Sequence, residues 1–223
     1  EMVEDFERHP IQEVFFEDDT LTTFRPRLRQ ICELILQQKR RMTWSCNSRV
    51  DWADLDLMKL MKEAGCRMLL IGPESGDQRI LDNVRKGIRV EQTREFVATA
   101  RKAKLTTHSC WVVGLPGETG DDLRQTRAFL RWARPEVIGF GLLAPLPGTP
   151  LYAELSENIR STLRWADYTW FDPPRASLNL TAMPDDRFRR EYKRMRRYVI
   201  EPQALRALLR DSAEDSIDTT LLV

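Results

Sequence analysis

Leu70-Ile71-Gly72-Pro73-Glu74-Ser75-Gly76-Asp77-Gln78 reads as the end of one element and the beginning of a site. The apolar run from Met68 to Ile71 stops abruptly at Gly72 and Pro73, then gives way to a carboxylate, a hydroxyl and a second glycine. An apolar run bounded by Gly and Pro is the pattern of a buried strand handing over to a loop. A carboxylate just past such a strand, as Glu74 is, stands where α/β enzymes hold ligands. Taken alone, a loop carboxylate is more often simply solvated. Four other runs that end the same way give Glu74 its weight.

Upstream, residues 11–16 predict a strand that ends in Glu17-Asp18-Asp19-Thr20. Leu28, Ile31, Cys32 and Ile35 then keep helical spacing within residues 26–39. Residues 42–46 predict a short strand that ends in Asn47-Ser48-Arg49. Asp54 is placed to cap a helix whose face is Leu57, Leu60, Met61 and Ala64, with Gly65 at its left-handed end. Downstream of Gln78, helical segments are expected over 78–84 and 90–102, broken at Lys86-Gly87. A strand over 106–113 runs into Gly114-Leu115-Pro116-Gly117-Glu118-Thr119. A helix opened by Asp121-Asp122 leads through Arg134 to a last strand over 137–144, which ends in Pro145-Leu146-Pro147-Gly148.

Five strands beginning near residues 11, 42, 67, 106 and 137, each followed by helical sequence, imply an α/β fold with a parallel sheet and right-handed crossovers. A doubly wound sheet would carry a glycine-rich phosphate loop after an early strand, but neither GxGxxG nor GxxxxGK[ST] occurs. Polar or Gly/Pro-rich loops after every strand are the barrel pattern. Five units are too few to close an eight-fold barrel, so the expected architecture is a partial, open one. Its core is expected over residues 1–155, with an aromatic and helical extension over 156–223. That extension has Trp165, Tyr168, Trp170 and Phe171, a basic segment over 185–200 with the apolar stripe Phe188, Tyr192, Met195 and Val199, and a further helix after Pro202.

The bulk numbers exclude several classes. The 223 residues carry a formal net charge of +1, so nothing suggests nucleic acid or an anionic membrane as partner. No run reaches the roughly 20 apolar residues of a spanning helix, and the opening Glu1-Met2-Val3-Glu4-Asp5 is not a signal peptide. Cys32, Cys46, Cys66 and Cys110 show no CxxC or Cys/His pairing, so they are expected as buried apolar residues in a reducing cytoplasm, not as metal ligands.

The strand-end loops offer complementary chemistry. Asp18 and Asp19 suit an ammonium group, and Arg49 suits a carboxylate. Glu74, with Ser75 beside it, suits a pair of ribose hydroxyls. Gly114 and the turn at Pro145 would let backbone approach a flat base. The set fits a zwitterionic nucleoside better than a phosphate.

At Phe16-Glu17-Asp18-Asp19, Trp44-Ser45-Cys46-Asn47-Ser48-Arg49, Gly72-Pro73-Glu74-Ser75-Gly76-Asp77-Gln78, Gly114-Leu115-Pro116-Gly117-Glu118-Thr119 and Pro145-Leu146-Pro147-Gly148-Thr149-Pro150-Leu151-Tyr152, the chain resembles the radical S-adenosylmethionine (SAM) superfamily. It is most similar to the branch that carries a cobalamin-binding domain, and within that branch to hopanoid-modifying enzymes. The resemblance implies a partial (β/α)6 barrel binding SAM across its strand ends. Asp18 and Asp19 would lie at the amino group, Asn47 and Arg49 at the carboxylate, Glu74 and Ser75 at the ribose. Val112, Gly114, Ala144 and Pro145 would lie at the adenine. It further implies a [4Fe–4S] cluster, cobalamin from another domain, a flavodoxin or ferredoxin as electron donor, and radical modification, methylation included, of a small molecule or lipid.

One departure stands out. The family's CxxxCxxC cluster loop is absent, and the first strand here matches the family's second. The chain is therefore expected to lack the first strand and cluster loop, to expose a sheet edge, and to be inactive alone. Two other readings compete. One is a non-catalytic barrel scaffold. The other is a metal-dependent hydrolase built on Asp18, Asp19 and His108, which two adjacent acids and one mid-strand histidine do not favour.

Overall fold

The computed structural model describes residues 4–5, 8–9, 11–38, 42–164 and 179–214. The aromatic stretch around Trp165 to Phe171 lies outside these residues.

Five strands form one sheet: β1 (Glu13–Phe16), β2 (Thr43–Ser48), β3 (Cys66–Glu74), β4 (Thr106–Val113) and β5 (Val137–Leu142). Their spatial order is their chain order, and every neighbouring pair is parallel. That order separates the two candidate architectures. A doubly wound sheet reverses direction at a switch point, whereas a barrel wall advances one strand at a time.

The helices that return the chain are α1 (Arg25–Leu36), α2 (Leu55–Glu63), the pair α3 (Gln78–Asn83) and α4 (Val90–Lys102), and α5 (Gly120–Ala133). After β5 come the short α6 (Pro150–Glu154) and α7 (Glu157–Thr162), then the long α8 (Asp185–Glu214). The main helices cover one face of the sheet. Leu69 and Ile71 of β3, and Thr107, Ser109, Trp111 and Val113 of β4, are buried beneath them. The alternate positions, Met68, Leu70, Gly72 and Glu74 on β3 and Thr106, His108, Cys110 and Val112 on β4, are only half-buried. The structure is an open wall with helices outside and a less covered inner face, as the barrel reading requires.

Two apolar clusters fill the covered face. One gathers Leu28, Cys32, Trp44, Cys46, Met58, Met61, Leu69, Ile71 and Phe96 between α1, α2, α4 and the first three strands. Trp44 is completely buried, donates its indole N–H to the Ala64 carbonyl at 2.8 Å and meets Phe16 edge-on. The other cluster joins Trp111, Val113, Leu123 and Phe129 to Phe188, Tyr192, Met195 and Val199. The apolar stripe of the basic segment is thus the seam by which α8 packs on the sheet. Here the structure departs from the sequence reading, because α8 continues as one helix through Pro202.

Local signals hold where they depend on neighbouring residues alone. The Asp54 carboxylate accepts from the amides of Asp56 and Leu57, both at 3.0 Å. Gly65 has φ +94°, and a Cβ there would lie 1.9 Å from the Met42 carbonyl oxygen. Thr119 and Asp122 form a reciprocal capping box at the start of α5. The strand predicted to end at Gly72 runs on to Glu74, through an irregularity between Ile71 and Glu74. Pro73 has no N–H to give the ladder, and a bulge of this kind re-aims the side chain that follows. The β1 edge has no strand partner among the described residues.

Candidate functional site

Loops at the carboxyl ends of β1, β2 and β3 surround a cavity of about 300 Å³, at the lower end of the roughly 300–1,000 Å³ typical of small-molecule sites. Asp19 and Thr20 line it from β1, Asn47 to Val50 from β2, and Leu70 to Gly72 from β3. Lys86, Ile88 and Cys110 complete the wall. A larger cavity, about 490 Å³, lies between Met42, Gly65 and Arg67 at the opposite end of the sheet. Parallel α/β folds bind ligands at the carboxyl ends of their strands, which selects the smaller one.

Asn47, Arg49 and Lys86 in the wall are each held by an identifiable contact. The Asn47 amide donates to the Asp18 carbonyl oxygen at 3.2 Å, tying the loop after β1 to β2. Arg49 is held by Asp51, Nε to Oδ2 at 2.8 Å. Glu74 has φ +63°, a left-handed conformation that costs a non-glycine residue energy. Its carboxylate lies over Gly72, so close that a Cβ on Gly72 would be 2.5 Å from Oε1. Lys86 Nζ donates to the same oxygen at 2.7 Å. The ion pair is half-buried, and Lys86 also borders the cavity. Two cations and two carboxylates, Asp19 and Glu74, thus meet at one rim.

The ten residues singled out by sequence separate into groups. Asp19, Asn47 and Arg49 stand in the cavity wall, and Glu74 joins them through Lys86 and Gly72. The Asp18 carboxylate instead faces Arg27 on α1 at 3.6 Å. Ser75 is buried, accepts from the Asp77 amide at 3.2 Å and lies beside the Thr126 hydroxyl of α5, so it shapes the loop and not the cavity. Val112, Gly114, Ala144 and Pro145 share the same end of the sheet but are not part of the cavity wall. Gly114 has φ +91°, and the space of its missing Cβ is taken by Phe188 of α8, 3.1 Å away. Its glycine is therefore required by the turn and by helix packing.

Lys86 is the charged group of the cavity wall that sequence reasoning missed. It stands 12 residues beyond Glu74 in a loop read only as a helix break, and nothing local shows that the chain folds back there. Cys110, read as a core residue, faces the cavity. Its thiol is raised by burial first and by the Glu74 charge second. Burial pushes Cys32 and Cys46 up to about 12 and Cys66 well above its ordinary value. No group of three or more His, Cys, Asp or Glu side chains among the described residues is arranged to hold a metal ion. These thiols therefore do not fit an iron–sulfur cluster. His108 lies against Gly139, its pKa lowered by burial, away from Asp18 and Asp19, and the hydrolase reading gains nothing.

The family model of the radical SAM superfamily matches residues 1–130. The chain belongs to the radical SAM superfamily. It is 34% identical over 164 residues to "Uncharacterized methyltransferase PH0819" of Pyrococcus horikoshii, a match covering 73% of this chain and 36% of that protein. It is 25% identical over 154 residues to the anaerobic magnesium-protoporphyrin IX monomethyl ester cyclase of Rubrivivax gelatinosus, covering 68% of this chain and 28% of the cyclase. The chain thus spans roughly a third of the length of these curated relatives. Among solved structures, the radical SAM methyltransferase TsrM of Kitasatospora setae, with cobalamin and a [4Fe–4S] cluster bound, superposes with a TM-score of 0.62. The identity is 22%, covering 72% of this chain and 31% of TsrM, and it establishes a shared radical SAM fold. No helix among the described residues is long and apolar enough to cross a membrane.

Proposed function

We propose that this chain supplies the SAM-binding wall of a radical SAM enzyme that modifies a small molecule or lipid, methyl transfer being the favoured reaction. The observation that carries the reading is the convergence on one small cavity of Asp19 and Arg49 from the ends of β1 and β2 and of Lys86 from the loop after α3, with Glu74 at the end of β3 paired to Lys86. SAM presents an ammonium, a carboxylate and a ribose diol, and each has a matching group here. Asp19 takes the ammonium, the cations Arg49 and Lys86 take the carboxylate, and Glu74 accepts from the ribose hydroxyls. Asn47 positions the loop that carries Asp19. Because Arg49 and Lys86 are already paired with Asp51 and Glu74, binding exchanges partners and does not strip bare charges of water. Gly114 and the Ala144-Pro145 turn border the adenine end.

A cluster supplies the electron for SAM cleavage in this superfamily, and a flavodoxin or ferredoxin is the proposed source of that electron. The described residues contribute binding and orientation. Methyl transfer is supported by the names of relatives such as PH0819 and the bacteriochlorophyllide d C-12(1)-methyltransferase of Chlorobaculum tepidum, and cobalamin by TsrM.

Titration calorimetry with SAM tests the reading. The chain is expected to bind SAM, and Glu74→Ala and Asp19→Asn are each expected to weaken binding by about tenfold or more, the worth of one charge-assisted hydrogen bond. A folded chain that binds no SAM, or binding that neither substitution alters, would sink the proposal.

A further inference from the structure

Glu118 is the one carboxyl in the chain that is both deeply buried and incompletely bonded among the described residues. It closes the turn after β4 and is 1% exposed. Its Oε2 accepts the Gly114 amide hydrogen at 2.8 Å, while Oε1 is buried with no hydrogen-bond partner. The turn is pinned from several sides. The Gly117 amide donates to the Leu180 carbonyl and the Ala182 amide to the Glu118 carbonyl, both at 3.0 Å. Arg79 of α3 donates to the Gly117 carbonyl at 3.1 Å.

The charged groups around it compensate a carboxylate only in part, Arg79 favouring it and Asp122 opposing it. Asp122 of α5 adds a like charge. Arg79 is committed to Asp122 and to Gly117. Arg187 of α8 lies against Gly120 at the start of α5. The 179–183 segment offers Glu118 its backbone at Ala182. Desolvation dominates and pushes the Glu118 pKa up to about 8. The Gly114 and Leu115 amides and the Arg79 charge favour the anion, but burial outweighs them, and Oε1 has neither a donor nor a surface. The ionised form is therefore accommodated only if the turn opens towards water.

We propose that the protonated carboxyl of Glu118 is the positioning group that holds the Gly114 turn closed for a bound nucleoside, so that removing its proton releases the turn and weakens nucleoside binding. The clause about the nucleoside rests on the cofactor reading above; the clause about the turn does not. If only the protonated form binds, about one molecule in eleven is competent one pH unit above the midpoint. Apparent affinity then falls about tenfold.

Two measurements test this on the whole chain. In a ¹⁵N-labelled sample, the Gly114 amide resonance is expected to titrate between pH 6 and 9.5 with a midpoint near 8, and to stay flat in Glu118→Gln. Calorimetry with 5′-methylthioadenosine, whose own charge is constant over that range, should show about tenfold weaker binding at pH 9 than at pH 6.5. Glu118→Gln should bind equally at both. A Gly114 amide that does not titrate overturns the proposal, and so does an equal pH slope in the two proteins. No binding at pH 6.5 by a folded chain defeats the cofactor reading alone; the amide titration still decides the role of Glu118.

Discussion

Gly72, near the end of β3, and Gly76, in the loop after it, stand four residues apart, and the structure assigns them opposite jobs. A methyl group on Gly72 would lie 2.5 Å from Glu74 Oε1 and 3.4 Å from Lys86 Nζ. Both atoms are the free ends of long side chains, so the carboxylate swings aside and the backbone stays where it is. The lost half-buried ion pair is worth at most about 1 kcal/mol, and alanine recovers about half of that by restricting the unfolded chain. Gly72→Ala should therefore leave stability nearly unchanged. Binding is another matter, because Glu74 is displaced from the place where we propose that it meets the ribose. Losing a hydrogen bond to a charged acceptor costs roughly 1.5–3 kcal/mol, or about ten- to 150-fold in affinity. A methyl on Gly76 would lie 2.7 Å from the Thr126 Cα and 2.8 Å from the Phe129 Cβ, both fixed on α5. Gly76→Ala is an overpacking substitution and should cost about 1–3 kcal/mol of stability. Urea unfolding and calorimetry with SAM on the two variants decide the matter. Were Gly72→Ala to lose several kcal/mol of stability, or to bind SAM as tightly as the parent, the assignment of Glu74 would be refuted.

Two further outcomes follow from the contacts described. Asp54→Ala removes the side-chain acceptor for two amides at the start of α2 and should cost about 1 kcal/mol in urea unfolding, with SAM binding unchanged. Glu118 should give stability an unusual pH dependence: its pKa rises from 4.5 to about 8 on folding, so between those values the folded chain holds a proton the unfolded chain has released. Stability therefore falls as pH rises through that window, by roughly 2.5 kcal/mol between pH 5 and pH 7. Glu118→Gln should remove that slope; an unchanged slope would assign the effect to other groups.

What could be read from the residues alone divides along a physical line. Strand β4 was expected over 106–113 and is found there, because alternation and the glycine and proline that bracket a strand are local. The same holds for the Asp54 cap and for Gly65. The consecutive strand order could also be anticipated, since it follows from a polar loop at every strand end and no phosphate loop at an early one. Side-chain direction at the rim could not. Asp18 and Asp19 are adjacent and chemically identical, yet one faces Arg27 and the other the cavity. That choice depends on where α1 delivers Arg27. Glu74 and Ser75 divide in the same way, because the irregularity at Pro73 turns Glu74 over Gly72 while Thr126 of α5 holds the next residue on the opposite side. Lys86 enters only because α3 brings the chain back to the end of β3. A motif therefore gives the inventory of groups at a strand end, and the helices packed behind the sheet decide which of them meet the ligand.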